Sequence, residues 1–303
     1  MSNTDQTLLS QIRNQYFQQI PIRLFNFHTI VPSLDLQEHI LDTTTSAKRH
    51  QPHASYRLVF LKHLIHLCEV HALEVYEPIY DAVAACISTS NTETMTVKTY
   101  FPPSMQPIEL HESMAMISGG TTGLVTWTAS LRLAEYILAN SNIFDKCSSV
   151  VELGAGAGLV SILASRLCKR DVYATDCHSQ VVDNLIQNVE LNQCSNVKVK
   201  VVDWEDKCTI GQVPASSFVL GADIVFDPVL IPHLLSTLDA LMGDEAYIAS
   251  TIRNQDTWNV FEDGLTQSEF QSVLVSVDNQ AQKWIYPLEK EQVRIYKLSR
   301  KLK

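Results

Sequence analysis

The sequence has little that would staple, anchor or charge it. Its seven cysteines, at 68, 86, 147, 168, 177, 194 and 208, are odd in number, scattered, and never form a CxxC pair. That argues against a disulfide framework and a zinc site, and favours reduced thiols in the cytosol or nucleus. Long apolar runs are missing too: Val150–Leu153 and Phe218–Ala222 are far too short for a membrane span. The first twenty residues lack the charged start and apolar stretch of a secretory signal. Positive charge is scarce, with 23 Lys and Arg against 33 Asp and Glu and a formal net charge of −10. Such a balance weighs against sequence-independent binding to a nucleic-acid backbone, which depends on lysines and arginines displacing counterions. No repeat period or low-complexity tract is present. The expectation is a soluble, cytoplasmic monomer with no metal, no membrane contact and no direct nucleic-acid partner.

What is present divides the chain in two. Residues 1–92 read as helices and turns. Leu58, Leu61, Leu64, Ile65 and Cys68 give one buried helical face between Tyr56 and Val70. Pro78 opens a second helix over Ile79–Ile87, and the polar run Ser88–Thr92 reads as the connection out of this extension. Histidines 63, 66 and 71 have no cysteine beside them and read as ordinary packed or surface side chains. Residues 93–303 form the second part. It opens with Met95–Phe101 and Ile108–Ser113, a hairpin around Pro102, Pro103 and Pro107.

From about Leu124, short apolar runs alternate with helical stretches. The runs are Val150–Leu153, Val172–Thr175, Val197–Val202, Phe218–Asp223 and Tyr247–Thr251; between them lie helices at Leu159–Cys168, Ser179–Leu191, Leu230–Leu241 and Gln255–Ser268. This alternation specifies an α/β fold, a mostly parallel Rossmann-like sheet with helices on both faces. Two final runs, Phe270–Val277 and Val293–Leu298, have no helix between them and predict an antiparallel pair closing a seven-strand sheet. That ending separates a methyltransferase sheet from a dinucleotide-binding one.

The sharpest local signal is Val150-Val151-Glu152-Leu153-Gly154-Ala155-Gly156-Ala157-Gly158-Leu159, at a strand-to-helix turn. Glycine there lets backbone approach a ligand. A nicotinamide site calls for G-x-G-x-x-G; here Leu159 stands where the third glycine belongs. Asp176 ends the second strand, 20 residues after Gly156, suited either to two ribose hydroxyls or to capping the helix near Ser179. Asp203-Trp204 follows the third strand, where the indole either walls an adenine or plugs the domain edge.

Together these motifs resemble the elongation factor 2 lysine methyltransferase family, within the seven-strand protein lysine methyltransferases. The resemblance rests on Ser118-Gly119-Gly120-Thr121-Thr122-Gly123-Leu124-Val125-Thr126-Trp127, Val151–Leu159, Thr175–Ser179, Asp203-Trp204, Ala222–Phe226 and Thr251–Asn254. It extends to Ser55-Tyr56-Arg57 and Glu74–Tyr80 in the extension. It implies S-adenosyl-L-methionine as cofactor, held by Trp127, Glu152, Gly154, Ala155, Gly156, Gly158, Asp176, Trp204 and Ala222. It implies Asp223 and Phe226 at the substrate amine, as a D-x-x-[YF] motif. Thr128 stands where relatives often carry an acid, and Phe226 lacks the hydroxyl of the commoner tyrosine. The implied reaction is in-line methyl transfer to a lysine of a protein substrate, elongation factor 2, with residues 1–92 selecting the substrate. Asp223 either orients the amine, escorts its proton or holds its own loop. Alternatives are another protein substrate, or a binding module that has lost the chemistry.

Overall fold

The computed structural model describes residues 3–25, 31–89, 92–215, 217–275, 284–286 and 292–301. It divides into two compact units, residues 1–114 with 283–288, and residues 115–282 with 289–303.

In the first unit the helices are α1 (Asn3–Phe17), α2 (Leu34–Thr43), α3 (Ala54–Val70) and α4 (Pro78–Ser88). Ser33 caps α2 by accepting the Leu36 N–H, and Pro78 sits in the first turn of α4, where its missing N–H costs nothing. Ile12, Tyr16, Phe17, Ile40, Phe60, Leu61, Leu64 and Ile79 form the core. The hairpin, β1 (Met95–Tyr100) and β2 (Ile108–Ser113), pairs antiparallel from Met95↔Ser113 to Tyr100↔Ile108.

The first compact unit extends to Met114 and so includes the hairpin together with the helices. Side-chain bonds explain this. Gln19 donates to Thr96 Oγ1 and to the Val97 carbonyl, both at 2.9 Å. The His53 N–H donates to Thr96 Oγ1 at 3.1 Å, and Phe101 packs edge-on against Phe17. Residues 284–286 return from far along the chain to join this unit. Gln18 donates to the Trp284 carbonyl at 2.7 Å and accepts the Tyr286 N–H at 3.0 Å.

The second unit holds α5 (Thr128–Ala139), β3 (Val150–Leu153), α6 (Leu159–Cys168), β4 (Val172–Asp176), α7 (Ser179–Leu191), β5 (Val197–Val201) and α8 (Lys207–Ile210). After these come β6 (Ser217–Ala222), α9 (Ile231–Leu241), β7 (Met242–Thr251), α10 (Gln255–Gln267), β8 (Phe270–Val275) and β9 (Val293–Arg300). Its seven strands run β5-β4-β3-β6-β7-β9-β8. The first five are parallel, and β9 is antiparallel to both β7 and β8. The expected antiparallel ending is therefore present, with β9 inserted between β7 and β8. Residues 276–277, assigned by the sequence to the end of β8, lie outside the described residues.

Every residue of β3 and β6 is buried, as strands covered on both faces must be. From β3 the chain moves outward to β4 and β5, then returns on the other side of β3 as β6. The strand order reverses between β3 and β6, and the usual ligand position in open α/β sheets lies outside the carboxyl ends of the strands at such a reversal. Helices α5 and α8 were not expected from the sequence, and β7 begins at Met242 instead of Tyr247.

Replacing Gln18 by Ala strands a buried carbonyl and a buried N–H, so the cost should be about 2 kcal/mol or more. Urea unfolding of the wild type and the variant measures it; a change within error means those bonds contribute nothing.

Candidate active site

The turn from β3 into α6 places Gly154, Gly156 and Gly158 at φ of +64°, +54° and +97°. Gly156 is the position where glycine is most plainly required. Besides its left-handed backbone, a Cβ there would lie 3.1 Å from the Gly123 carbonyl oxygen, and backbone yields less readily than a side chain. Gly123 belongs to the segment lying over the turn. In that segment Ser118 and Thr121 exchange backbone hydrogen bonds at 3.0 and 3.1 Å. Gly119 and Gly120 between them, both at positive φ, form a type I′ turn. Beneath the turn, the Ala155 N–H donates to the Thr175 carbonyl at 2.8 Å and the Thr175 hydroxyl to the Glu152 carbonyl at 2.7 Å, locking β3 to β4.

Three acids of this unit sit in three different environments. Asp176 ends β4; its carboxylate accepts the Gly156 N–H at 3.3 Å and the His178 N–H at 3.1 Å. Burial raises its pKa above the usual carboxylate range, and the backbone N–H groups of His178 and Gly156 oppose the rise. His178, not Asp176, is the N-cap residue of α7 and makes no side-chain capping bond. Its Nδ1 is buried without a partner among the described residues. Glu152 is wholly buried behind the turn, bonded by the Ser161 hydroxyl of α6. Burial pushes its carboxyl up to about 8, with Ser161 pulling the other way, so at neutral pH it is largely protonated.

Asp223, the third, leaves β6 at φ +54°, a left-handed backbone unusual for any residue but glycine, asparagine or aspartate. Its side chain is 6% exposed. One oxygen accepts the Thr251 N–H at 2.9 Å and the Arg253 guanidinium at 3.3 Å; the other accepts the Ala129 N–H and the Thr251 hydroxyl, both at 3.3 Å. A carboxylate offers about four lone-pair positions, and four donors meet them. The carboxylate thereby joins the end of β6, the end of β7 and the first turn of α5. Arg253 also lies over the Trp127 ring, 4.9 Å from its centroid. Trp127 in turn donates through Nε1 to the Thr122 carbonyl at 3.0 Å, below the overlying segment.

The remaining expected residues gather at the same edge of the sheet. Ala222, buried, ends β6. Trp204, half-buried after β5, approaches Gly154: a Cβ on that glycine would be 3.9 Å from its Cζ2 and 2.7 Å from Ile224 Cγ2. Thr128 begins α5. Phe226 stands 63% exposed on the loop after β6. The structure thus brings Trp127, Gly154, Ala155, Gly156, Gly158, Asp176, Trp204, Ala222 and Asp223 to the carboxyl ends of the strands. It puts the Glu152 carboxyl behind the turn and turns Phe226 outward. Thr251, Arg253 and Ile224 entered the sequence reading only within the runs Thr251–Asn254 and Ala222–Phe226, and the Ala129 N–H not at all. No short-range pattern encodes them, because their partners are tens of residues away. No helix among the described residues is long and apolar enough to cross a membrane.

Residues 106–266 match the family model described as lysine methyltransferase. The chain is 32% identical over 285 residues to the protein-lysine N-methyltransferase EEF2KMT of Homo sapiens, covering 84% of this chain and 86% of that one. It is also 32% identical over 245 residues to the protein-lysine N-methyltransferase EFM3 of Chaetomium thermophilum, covering 69% and 72%. Among solved structures, a precorrin-6y C5,15-methyltransferase from Geobacter metallireducens aligns with a TM-score of 0.43 and 12% identity, over 63% of this chain and 95% of that one. The chain belongs to the lysine methyltransferase family, within the group of protein-lysine N-methyltransferases that includes EEF2KMT.

Proposed function

We propose that the chain uses S-adenosyl-L-methionine to methylate a lysine of translation elongation factor 2, acting as a cytoplasmic monomer. The observation that carries this reading is the junction of the glycine turn with Asp176, where a half-buried carboxylate is hydrogen-bonded, among the described residues, by backbone N–H groups. Ribose hydroxyls would add the donors that a buried carboxylate favours. Trp204 and Ile224 beside Gly154 supply an apolar wall for a flat ring, and Ala222 leaves room at the strand end. Trp127 and its overlying segment close the other side. These residues fit the cofactor, which when bound supplies an activated methyl group on a sulfonium.

The protein's part is alignment and desolvation. A lysine with an ordinary pKa of about 10.4 is neutral roughly once in a thousand near pH 7, so the site must favour the neutral amine. The Arg253 guanidinium at the mouth disfavours a second positive charge nearby. In this reading Asp223 positions the mouth and is not the proton acceptor, since its acceptor positions are already taken. Phe226 forms an apolar rim where the amine enters. Residues 1–92, with the hairpin that packs on them, contribute the area needed to recognise a folded protein.

The direct test is to incubate the full chain with methyl-labelled S-adenosylmethionine and purified elongation factor 2, then locate the label by mass spectrometry. Label on a lysine of elongation factor 2 is expected; transfer only to other proteins of a cell extract would contradict the target. For the pocket, Asp176→Asn should weaken S-adenosylhomocysteine binding about tenfold or more by calorimetry. Wild-type affinity should itself fall on acidification, because bound ribose favours the ionised carboxylate and lowers a pKa that burial has raised. The loss should begin above the ordinary carboxylate range and be absent in the variant; identical pH dependence in both would remove Asp176 from the pocket.

A further inference from the structure

The first unit carries an arrangement that methyl transfer does not use. Arg13 on α1 and Arg49 after α2 both lay their guanidinium groups over the Phe101 ring, at 4.3 and 4.9 Å from its centroid, and Arg49 also lies 5.4 Å from the Phe17 ring. Arg13 is only partly exposed. Its Nε and Nη2 donate to Asn14 Oδ1 at 3.3 and 3.1 Å, a neutral acceptor, and no carboxylate pairs with it among the described residues. Arg49 lies 3.8 Å from Glu109 Oε1, a long ion pair, while His50 binds the other oxygen, Oε2, at 2.8 Å. Lys98, the lysine of the same hairpin, is neutralised by the buried Glu112 at 2.9 Å. Burial, and then the neighbouring Arg49, lower the Arg13 pKa.

A partly buried cation that meets no carboxylate among the described residues is costly, and a second cation on the same ring adds to the cost. Attraction to the face of Phe101 offsets part of it. Holding two guanidinium forks in a fixed geometry on one aromatic ring suits a carboxylate, which a fork can grip through two parallel bonds. Arginine beside aromatic rings is also the composition that dominates protein-binding hot spots. Two arginines in a chain of net charge −10 are too few for the many phosphate contacts that hold a nucleic acid.

We infer that Arg13 and Arg49, seated on Phe101, form a docking site for an acidic segment of the protein substrate. This rests on the reading that the chain methylates elongation factor 2, so the test has one arm that does not depend on it. In that arm, fluorescence anisotropy follows binding of a labelled ten-residue peptide of alternating glutamate and glycine to the full chain at low salt, with a glutamine-for-glutamate peptide as control. The acidic peptide should bind and the control should not. The Arg13→Gln/Arg49→Gln double variant should bind it about tenfold more weakly. Glu109→Gln, which removes the competing carboxylate, should bind it more tightly, a gain that misfolding cannot imitate. Equal binding by wild type and double variant, no gain in Glu109→Gln, or preference for a single-stranded oligonucleotide over the peptide would overturn the inference. In the second arm the double variant should raise KM for elongation factor 2 about tenfold, with kcat and S-adenosylhomocysteine affinity unchanged. A wild type that leaves elongation factor 2 unmethylated strikes the target assignment, and the peptide arm still decides the arginines.

Discussion

The four hydrogen bonds into the Asp223 carboxylate are the constraint on which the mouth of the site depends. Asp223 has a left-handed backbone, a conformation that persists only where surrounding bonds over-determine it. Thr251 supplies an N–H and a hydroxyl, Ala129 an N–H and Arg253 a guanidinium. Through them one side chain fixes where β6 ends, where β7 ends and where α5 begins. Arg253 then reaches Trp127, and Trp127 reaches the loop above the glycine turn. A change at Asp223 therefore travels through Arg253 and Trp127 to the loop above the glycine turn.

The acids of this unit show how environment divides one functional group among several tasks. Glu152, sealed behind the turn with only Ser161 for company, keeps its proton to about pH 8 and braces β3 against α6. Asp176, at the end of β4, accepts two backbone N–H groups and no side-chain donor among the described residues. Asp223, surrounded by donors that include a guanidinium, has no acceptor capacity left for a further donor. The sequence alone shows one acid inside a strand and two at strand ends; what surrounds each is decided in large part by neighbours distant along the chain.

That distance also explains what could be read beforehand. The β3–α6–β4 unit and the glycine turn were legible because their signals are local: a buried run, glycines at 154, 156 and 158, an amphipathic helix, and an acid at the next strand end. Helix α5 was missed because its start carries no cap of its own. Trp127 makes no side-chain capping bond, and the N–H of Ala129 is met by Asp223, 94 residues further on. Strand β7 follows α9 directly, and its first residues include Gly243 and Asp244, types that favour turns and so conceal the start of the strand. The polar run at 88–92 looked like an interdomain connection, yet Gln19 and His53 tie the hairpin beyond it to the helices before it. Side-chain pairings of this kind leave no periodicity to read.

A folded substrate recognised by one unit and a methyl donor held by the other would account for a chain with two cores and acids at one sheet edge. Within the second unit, the decisive question is whether Asp223 holds the mouth or takes the proton. The pH–rate profile of Asp223→Asn answers it most directly, because asparagine tolerates the same left-handed backbone but presents an N–H where the carboxylate accepted one. A depressed kcat with the acidic limb in its wild-type position is the predicted result. Loss of that limb, with S-adenosylhomocysteine still bound normally, would make Asp223 the base and contradict the positioning role.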